Sequence, residues 1–149
     1  MKLEVRKVPE AEPEMVEIRC HQITDEVREL ISFVKSRQGQ LTASQDGQRF
    51  EIPVVDLFYA ESVDERVFLY TARDSYEIRM KLYELESLLK SRHFLRISKS
   101  MLVNLMKISS VRPALNGRFS ALLKNGEEVI ISRKYVPALK QTLKGGDFE

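Results

Sequence analysis

Leu3, Val5 and Val8 are set among Lys2, Glu4, Arg6 and Lys7, and Val16 and Ile18 share a face further on. This alternation predicts strands over residues 1–8 and 15–20. Between them the run Pro-Glu-Ala-Glu-Pro-Glu over 9–14 reads as an acidic loop, because proline suits neither a ladder nor a helix interior. The period then changes. Ile23, Val27, Leu30, Ile31 and Val34 follow helical spacing, with Thr24 as cap, Asp25 and Glu26 in the first turn and Gly39 as a stop. The apolar stripe of this helix either covers a small sheet or pairs with a second copy of itself.

Downstream the pattern is mostly that of strands. Asp46-Gly47 marks a turn, Phe50, Ile52, Val54 and Val55 follow it, and Pro53 argues for an edge position. Strands are predicted over 57–60, 67–71 and 76–78, separated by polar turns at 61–66 and 73–75. Leu82, Leu85, Leu88 and Leu89 predict a helix over about 80–91. Asn116-Gly117 and Asn125-Gly126 separate apolar runs at 108–113, 119–123 and 129–131, which predicts a three-strand meander. A helix over 132–143, stopped by Gly145-Gly146, closes the pattern.

The chain is organised around Phe94 to Leu105. Phe94, Ile97, Leu102, Val103 and Leu105 are core material, and Arg96, Ser98, Lys99, Ser100 and Asn104 are donors set between them. Donors anchored by buried neighbours keep fixed directions, which suits an anionic partner with a repeating surface. A plain alternative is a short strand followed by a helical turn with ordinary solvated charges.

A chain of 149 residues with 43% hydrophobic and 31% charged positions forms one domain, or one domain with an extension. No apolar run approaches the ~20 residues that span a bilayer. The single cysteine, Cys20, excludes an internal disulfide, and the first residues lack an apolar signal core. The expectation is a cytoplasmic protein. Charge adds more. Residues 1–89 hold 12 Lys and Arg against 18 Asp and Glu, a net −6. Residues 90–149 hold 12 against 4, a net +8, so the basic excess lies wholly in the C-terminal part. That is where a neutralising partner would sit.

Catalysis finds little support. His21 and Cys20 are neighbours on a predicted strand and point to opposite faces, and His93 sits at a helix end, where it serves as a cap. No Cys/His spacing fits zinc and no glycine-rich loop fits phosphate, so no metal, cofactor or catalytic residue is expected. Two features point to anion binding instead. Ser132-Arg133-Lys134 puts two cations in the first turn of a helix, against its positive end. Alternatively that helix starts at Pro137 and 132–136 is a loop. Arg66 sits at a hairpin tip, beside Asp64 and Glu65.

Four blocks carry a resemblance: Tyr-Ala-Glu-Ser at 59–62, Leu-Tyr-Glu-Leu-Glu at 82–86, Phe-Leu-Arg-Ile-Ser-Lys-Ser-Met-Leu-Val-Asn at 94–104 and Ile-Ser-Arg-Lys-Tyr at 131–135. In order and spacing they resemble the LytTR DNA-binding domain family over about residues 43–144. The resemblance implies an α+β, mostly β, elongated β-β-β domain with short helices over 43–149, preceded by a strand-strand-helix extension over 1–42. It implies a bacterial regulator whose loops enter successive major grooves of bent DNA. Arg66, Lys99 and Lys134 are the residues expected at base edges. Arg96, Ser98, Ser100, Lys107 and Arg133 are expected to hold phosphate and position the domain. Asn104 is expected inside, bonding backbone at a bend. The family often has histidine where Ser98 stands. Many members carry a receiver domain, and about 42 residues are too few for one. The chain is thus similar to stand-alone members, some of them restrained by a small membrane protein.

The function expected is sequence-specific recognition of double-stranded promoter DNA, with repeated half-sites, by a homodimer that the N-terminal extension assembles or regulates. Two rivals stand beside it. RNA recognition would show aromatics on a sheet face, and Phe94, Phe119, Tyr135 and Phe148 are scattered. A protein-interaction adaptor would turn its basic face to an acidic partner or a membrane.

Overall fold

The computed structural model describes residues 1–144. Helix α1 (Asp25–Arg37) begins where expected: the Thr24 Oγ1 accepts the Val27 N–H at 3.3 Å, with Asp25 and Glu26 in the first turn and Lys35 and Arg37 in the last. Gly39, at φ +82°, turns the chain into β1 (Gln40–Gln45). Strand β2 (Gln48–Pro53) returns through Asp46-Gly47, both at positive φ, and lies at a sheet edge, where Pro53 needs no ladder donor. Strands β3 (Tyr59–Val63), β4 (Arg66–Tyr70) and β5 (Ser75–Ile78) form a meander, and β5 pairs with β1. Helix α2 (Leu82–Leu89) crosses to the hairpin β6 (Phe94–Ser98) and β7 (Met101–Asn104). β7 docks antiparallel on β3, completing a seven-stranded sheet in the order β2-β1-β5-β4-β3-β7-β6. Strands β8 (Ile108–Pro113), β9 (Phe119–Leu123) and β10 (Glu128–Ile131) form the expected three-strand meander as a second sheet. Helix α3 (Val136–Lys144) follows.

The strands β3, β7 and β6 are buried on both faces. Ala60, Leu102 and Phe94 join a core with Leu82, Leu85 and Leu89 of α2. Their neighbours Tyr59, Val103 and Ile97 point the other way, into a second core closed by Ala121, Leu123, Val129 and Ile131 of the small sheet and by Val136 and Leu139 of α3. Period-two alternation thus serves two cores at once. Tyr59 links the two sheets. Its ring stacks on Tyr70 with centroids 4.5 Å apart, and its hydroxyl donates to Glu127 Oε2 at 2.9 Å. Asn104 is 4% exposed and bonds backbone at the bend after β7: Nδ2 donates to the Leu57 carbonyl at 2.8 Å, and Oδ1 accepts the Met106 N–H at 3.0 Å.

Two expectations need correction, the N-terminal strands and the start of the last helix. Residues 1–24 form neither strand, and Leu3, Val5 and Val16 stay exposed. Alternation says which residues would face a core, but a strand also needs a neighbour to complete its ladder, and none pairs with these segments. Residues 42 and 43 both lie in β1, a strand of the large sheet. The stretch 94–105 forms a hairpin, which leaves aside the plain alternative of a strand and a helical turn. The last helix begins at neither site proposed for it: a 3₁₀ turn at Arg133–Tyr135 precedes α3, and Ser132 makes no side-chain cap. The Gly145-Gly146 stop and Phe148 lie outside the described residues.

Two stability predictions follow from these contacts. Burial, and then the Glu127 carboxylate, raise the Tyr59 pKa above the ordinary phenol value. Below about pH 10 both states are protonated and the contribution is constant; above it the unfolded chain ionises first, so stability falls as pH rises. Tyr59→Phe should cost about 0.5–1.5 kcal/mol at pH 8 and show a shallower loss above pH 10, measured by urea midpoints across the alkaline range. Asn104→Ala should cost about 2–4 kcal/mol by denaturant titration, because it strands a buried carbonyl and an amide.

Candidate nucleic-acid interface

Backbone hydrogen bonds gather three turns at one edge of the large sheet. The Ser62 N–H donates to the Ser100 carbonyl at 2.8 Å, tying the β3–β4 turn to the β6–β7 turn. The Ser132 N–H donates to the Ile97 carbonyl at 2.8 Å, tying the segment after β10 to the same hairpin. Arg66, Lys99 and Lys134 therefore come from three separate parts of the chain to one end of the molecule.

The side chains at this edge differ in how free they are. Lys99 is exposed at the tip of its turn and makes no side-chain hydrogen bond or ion pair with the described residues. Lys134 is exposed, its ammonium 5.8 Å from the Tyr135 ring centroid. Arg66 is held by Glu77 rather than by Asp64 or Glu65. Its Nε donates to Glu77 Oε2 at 3.1 Å, its Nη2 donates to Oε1, and it lies over the Phe68 ring. The hydrogen bond from Arg66, with its charge, holds the Glu77 carboxyl below the usual carboxylate range. This side-on grip leaves Nη1 and the outer proton of Nη2 facing away, the pair that would reach a guanine O6 and N7 end-on. The turn behind Arg66 is strained: Asp64 and Glu65 sit at φ +50° and +65°, where the Asp46-Gly47 and Asn116-Gly117 turns have glycine in the second position.

Ser98 and Ser100 shape the central turn from within. The Ser100 N–H donates to Ser98 Oγ at 3.2 Å, and the two hydroxyls are 3.4 Å apart. Arg96 is not a free phosphate donor. Its Nε and Nη2 donate to the carbonyls of Ser98 and Lys99, and its Nη1 donates to Glu86 Oε1 at 2.8 Å. Arg133 is exposed beside the β8–β9 turn, where a Cβ built on Gly117 would meet its Cδ at 2.8 Å. That contact brings in a fourth turn and a residue that sequence reasoning missed, Arg118, exposed next to Gly117. The signal was present as a cation following an Asn-Gly tip. Lys107 does not join this edge. It lies beyond Asn104, at the opposite end of β7, with its ammonium over Phe58, and borders a cleft shared with Arg37, Arg92 and His93.

The model of the LytTr DNA-binding domain matches residues 47–144. The transcriptional regulatory protein YpdB of Escherichia coli K12 is 37% identical over 92 residues, covering 61% of this chain and 38% of that protein. The sensory transduction protein LytT of Bacillus anthracis is 30% identical over 93 residues, covering 62% and 38%. The chain thus spans about two fifths of the length of these two relatives. An HTH-type transcriptional regulator of Staphylococcus aureus is 28% identical over 130 residues, covering 86% of this chain and 88% of that one. In structure, the chain is similar to the LytTr DNA-binding domain of a methyl-accepting/DNA response regulator from Bacillus cereus, with a TM-score of 0.67 and 24% identity over 70% of this chain and 96% of that one. No helix of the described residues is long and apolar enough to cross a membrane. The match over 47–144, with the basic turns at one sheet edge, makes this chain a member of the LytTR DNA-binding domain family.

Proposed function

We propose that this protein is a cytoplasmic, sequence-specific transcription regulator that reads the major groove of double-stranded DNA with three turns. The observation that carries this reading is the pair of hydrogen bonds, Ser62 to Ser100 and Ser132 to Ile97, that ties the segments bearing Arg66 and Lys134 to the hairpin bearing Lys99. Cations on rigid turns can enter a groove without a long recognition helix, and lysine or arginine at guanine O6 and N7 is the commonest specific contact. Lys99 and Lys134 take base edges, and Arg66 joins them with Glu77 holding its orientation. Arg133 and Arg118 neutralise phosphate and fix the register. Asp64 and Glu65 make the β3–β4 turn the weakest of the three toward phosphate.

The protein acts as a homodimer, at least on DNA. What supports this is exposed apolar surface at α1, Leu30 and Phe33 on the helix and Ile23 just ahead of it, while Val27 is buried. A symmetric pair would bury that stripe and present two copies of the reading edge to two half-sites.

Lys99→Ala and Lys134→Ala should each cost about 1–3 kcal/mol in binding to duplexes selected from a random pool, and relax specificity at the base they read. Arg133→Ala should weaken all duplexes alike and lower the slope of log K against log salt by about one. Wild-type affinity in both lysine variants, or equal competition by RNA of the same sequence, would overturn the reading. In sedimentation velocity, Phe33→Glu should shift a dimer to monomer; a wild-type chain that remains monomeric with and without DNA removes the dimer proposal.

A further inference from the structure

Arg96 is the residue whose placement departs most from what its charge suggests. It sits at a β-bulge: the β6–β7 register shifts between Arg96 and Ser98. A bulge bends the strand and re-aims the side chains beside it, here toward the turn that follows. Here the Ser98 and Lys99 carbonyls accept from the Arg96 Nε, at 2.8 Å, and from its Nη2. Those two carbonyls belong to the peptide units on either side of the Lys99 Cα. Pinning both planes fixes the backbone torsions of Lys99 and so the direction in which its side chain leaves the turn. The third arm, Nη1, donates to Glu86 Oε1 on α2 at 2.8 Å, which anchors the guanidinium to the helix and balances its charge. The Arg96 side chain is only 21% exposed.

We infer that Arg96, held by Glu86, is a positioning residue that sets the conformation of the Ser98-Lys99-Ser100 turn, and that this pair governs sequence discrimination by Lys99 rather than phosphate affinity. The inference rests on the reading of Lys99 as a base contact. Lysine cannot replace the arginine, because a single ammonium on a flexible stem lacks the planar fork that spans two carbonyls and a carboxylate.

The experiment uses the full chain and the variants Arg96→Lys and Glu86→Gln, with Lys99→Ala as reference, each checked by thermal melting. Affinities for a selected duplex and a scrambled one are measured over a salt series. Both positioning variants should lower the specific-to-scrambled ratio by about tenfold, within the worth of one base contact, with the salt slope unchanged. Binding that weakens equally on both duplexes in Arg96→Lys, or a ratio unaltered in Glu86→Gln, overturns the inference. Should Arg96→Lys fail to fold, Glu86→Gln alone decides, since it removes only a charge on a half-exposed helix position. Amide hydrogen exchange of Lys99 and Ser100 in DNA-free protein provides a second readout. Exchange should quicken about tenfold in Glu86→Gln as local opening becomes easier. Unchanged exchange sinks the inference even where Lys99→Ala leaves DNA binding intact; quickened exchange with an inert Lys99→Ala upholds the turn geometry and rejects only the reading of Lys99.

Discussion

Burial of the β3–β7–β6 strands on both faces is the constraint from which the rest of the molecule follows. A strand pair with one wet face can slide in register, whereas one packed between two cores cannot, because a one-residue slip would exchange the residues of both. Leu102 faces α2 and Val103 faces the small sheet, so the β6–β7 hairpin has one allowed placement. Its turn is then a fixed point against which the β3–β4 turn and the segment after β10 are fastened by single backbone hydrogen bonds. A rigid sheet edge holds donors at a set spacing, so that little order has to be imposed on a binding partner's arrival.

Charge is distributed over this edge less evenly than a count of lysines and arginines implies. Arg66 and Arg96 are both committed within the fold: to the Glu77 carboxylate, and to the central turn with Glu86. Lys99, Lys134, Arg133 and Arg118 carry no carboxylate partner among the described residues. The contrast between Arg96 and Lys99 follows the chemistry of the two side chains. Arginine's planar fork suits several fixed acceptors at once, and lysine's single ammonium stays hydrated and available. Arg96, which builds the central turn, and Lys99, which projects from it, thus have different work, although both count equally in the basic excess of residues 90–149.

The acidic N-terminal part joins this framework through α1 and β1, while residues 1–24 run exposed beside it. Arg92 donates to the Ser36 and Arg37 carbonyls at 3.0 and 2.9 Å and so caps α1 from the segment that leads into β6. One short contact therefore connects the exposed apolar stripe of α1 to the hairpin that carries Lys99.

The sequence alone determined the local elements, because their causes are local. Thr24 and Gly39 bound a helix, Asn116-Gly117 admits the positive φ that a tight turn needs, and alternation along 119–131 decides which residues meet a core. It also marked Lys99, Lys134 and Arg133 through their place in the family pattern. Only the tertiary structure decided what depends on partners distant in the chain. The strand-like pattern of residues 1–20 found no ladder, and Lys107 went to the far end of β7. Arg66 met Glu77 and Arg96 met Glu86, pairs formed by strand register and helix docking. A hydrogen bond or an ion pair requires two groups at one point in space, and one-dimensional spacing reports only the first of them.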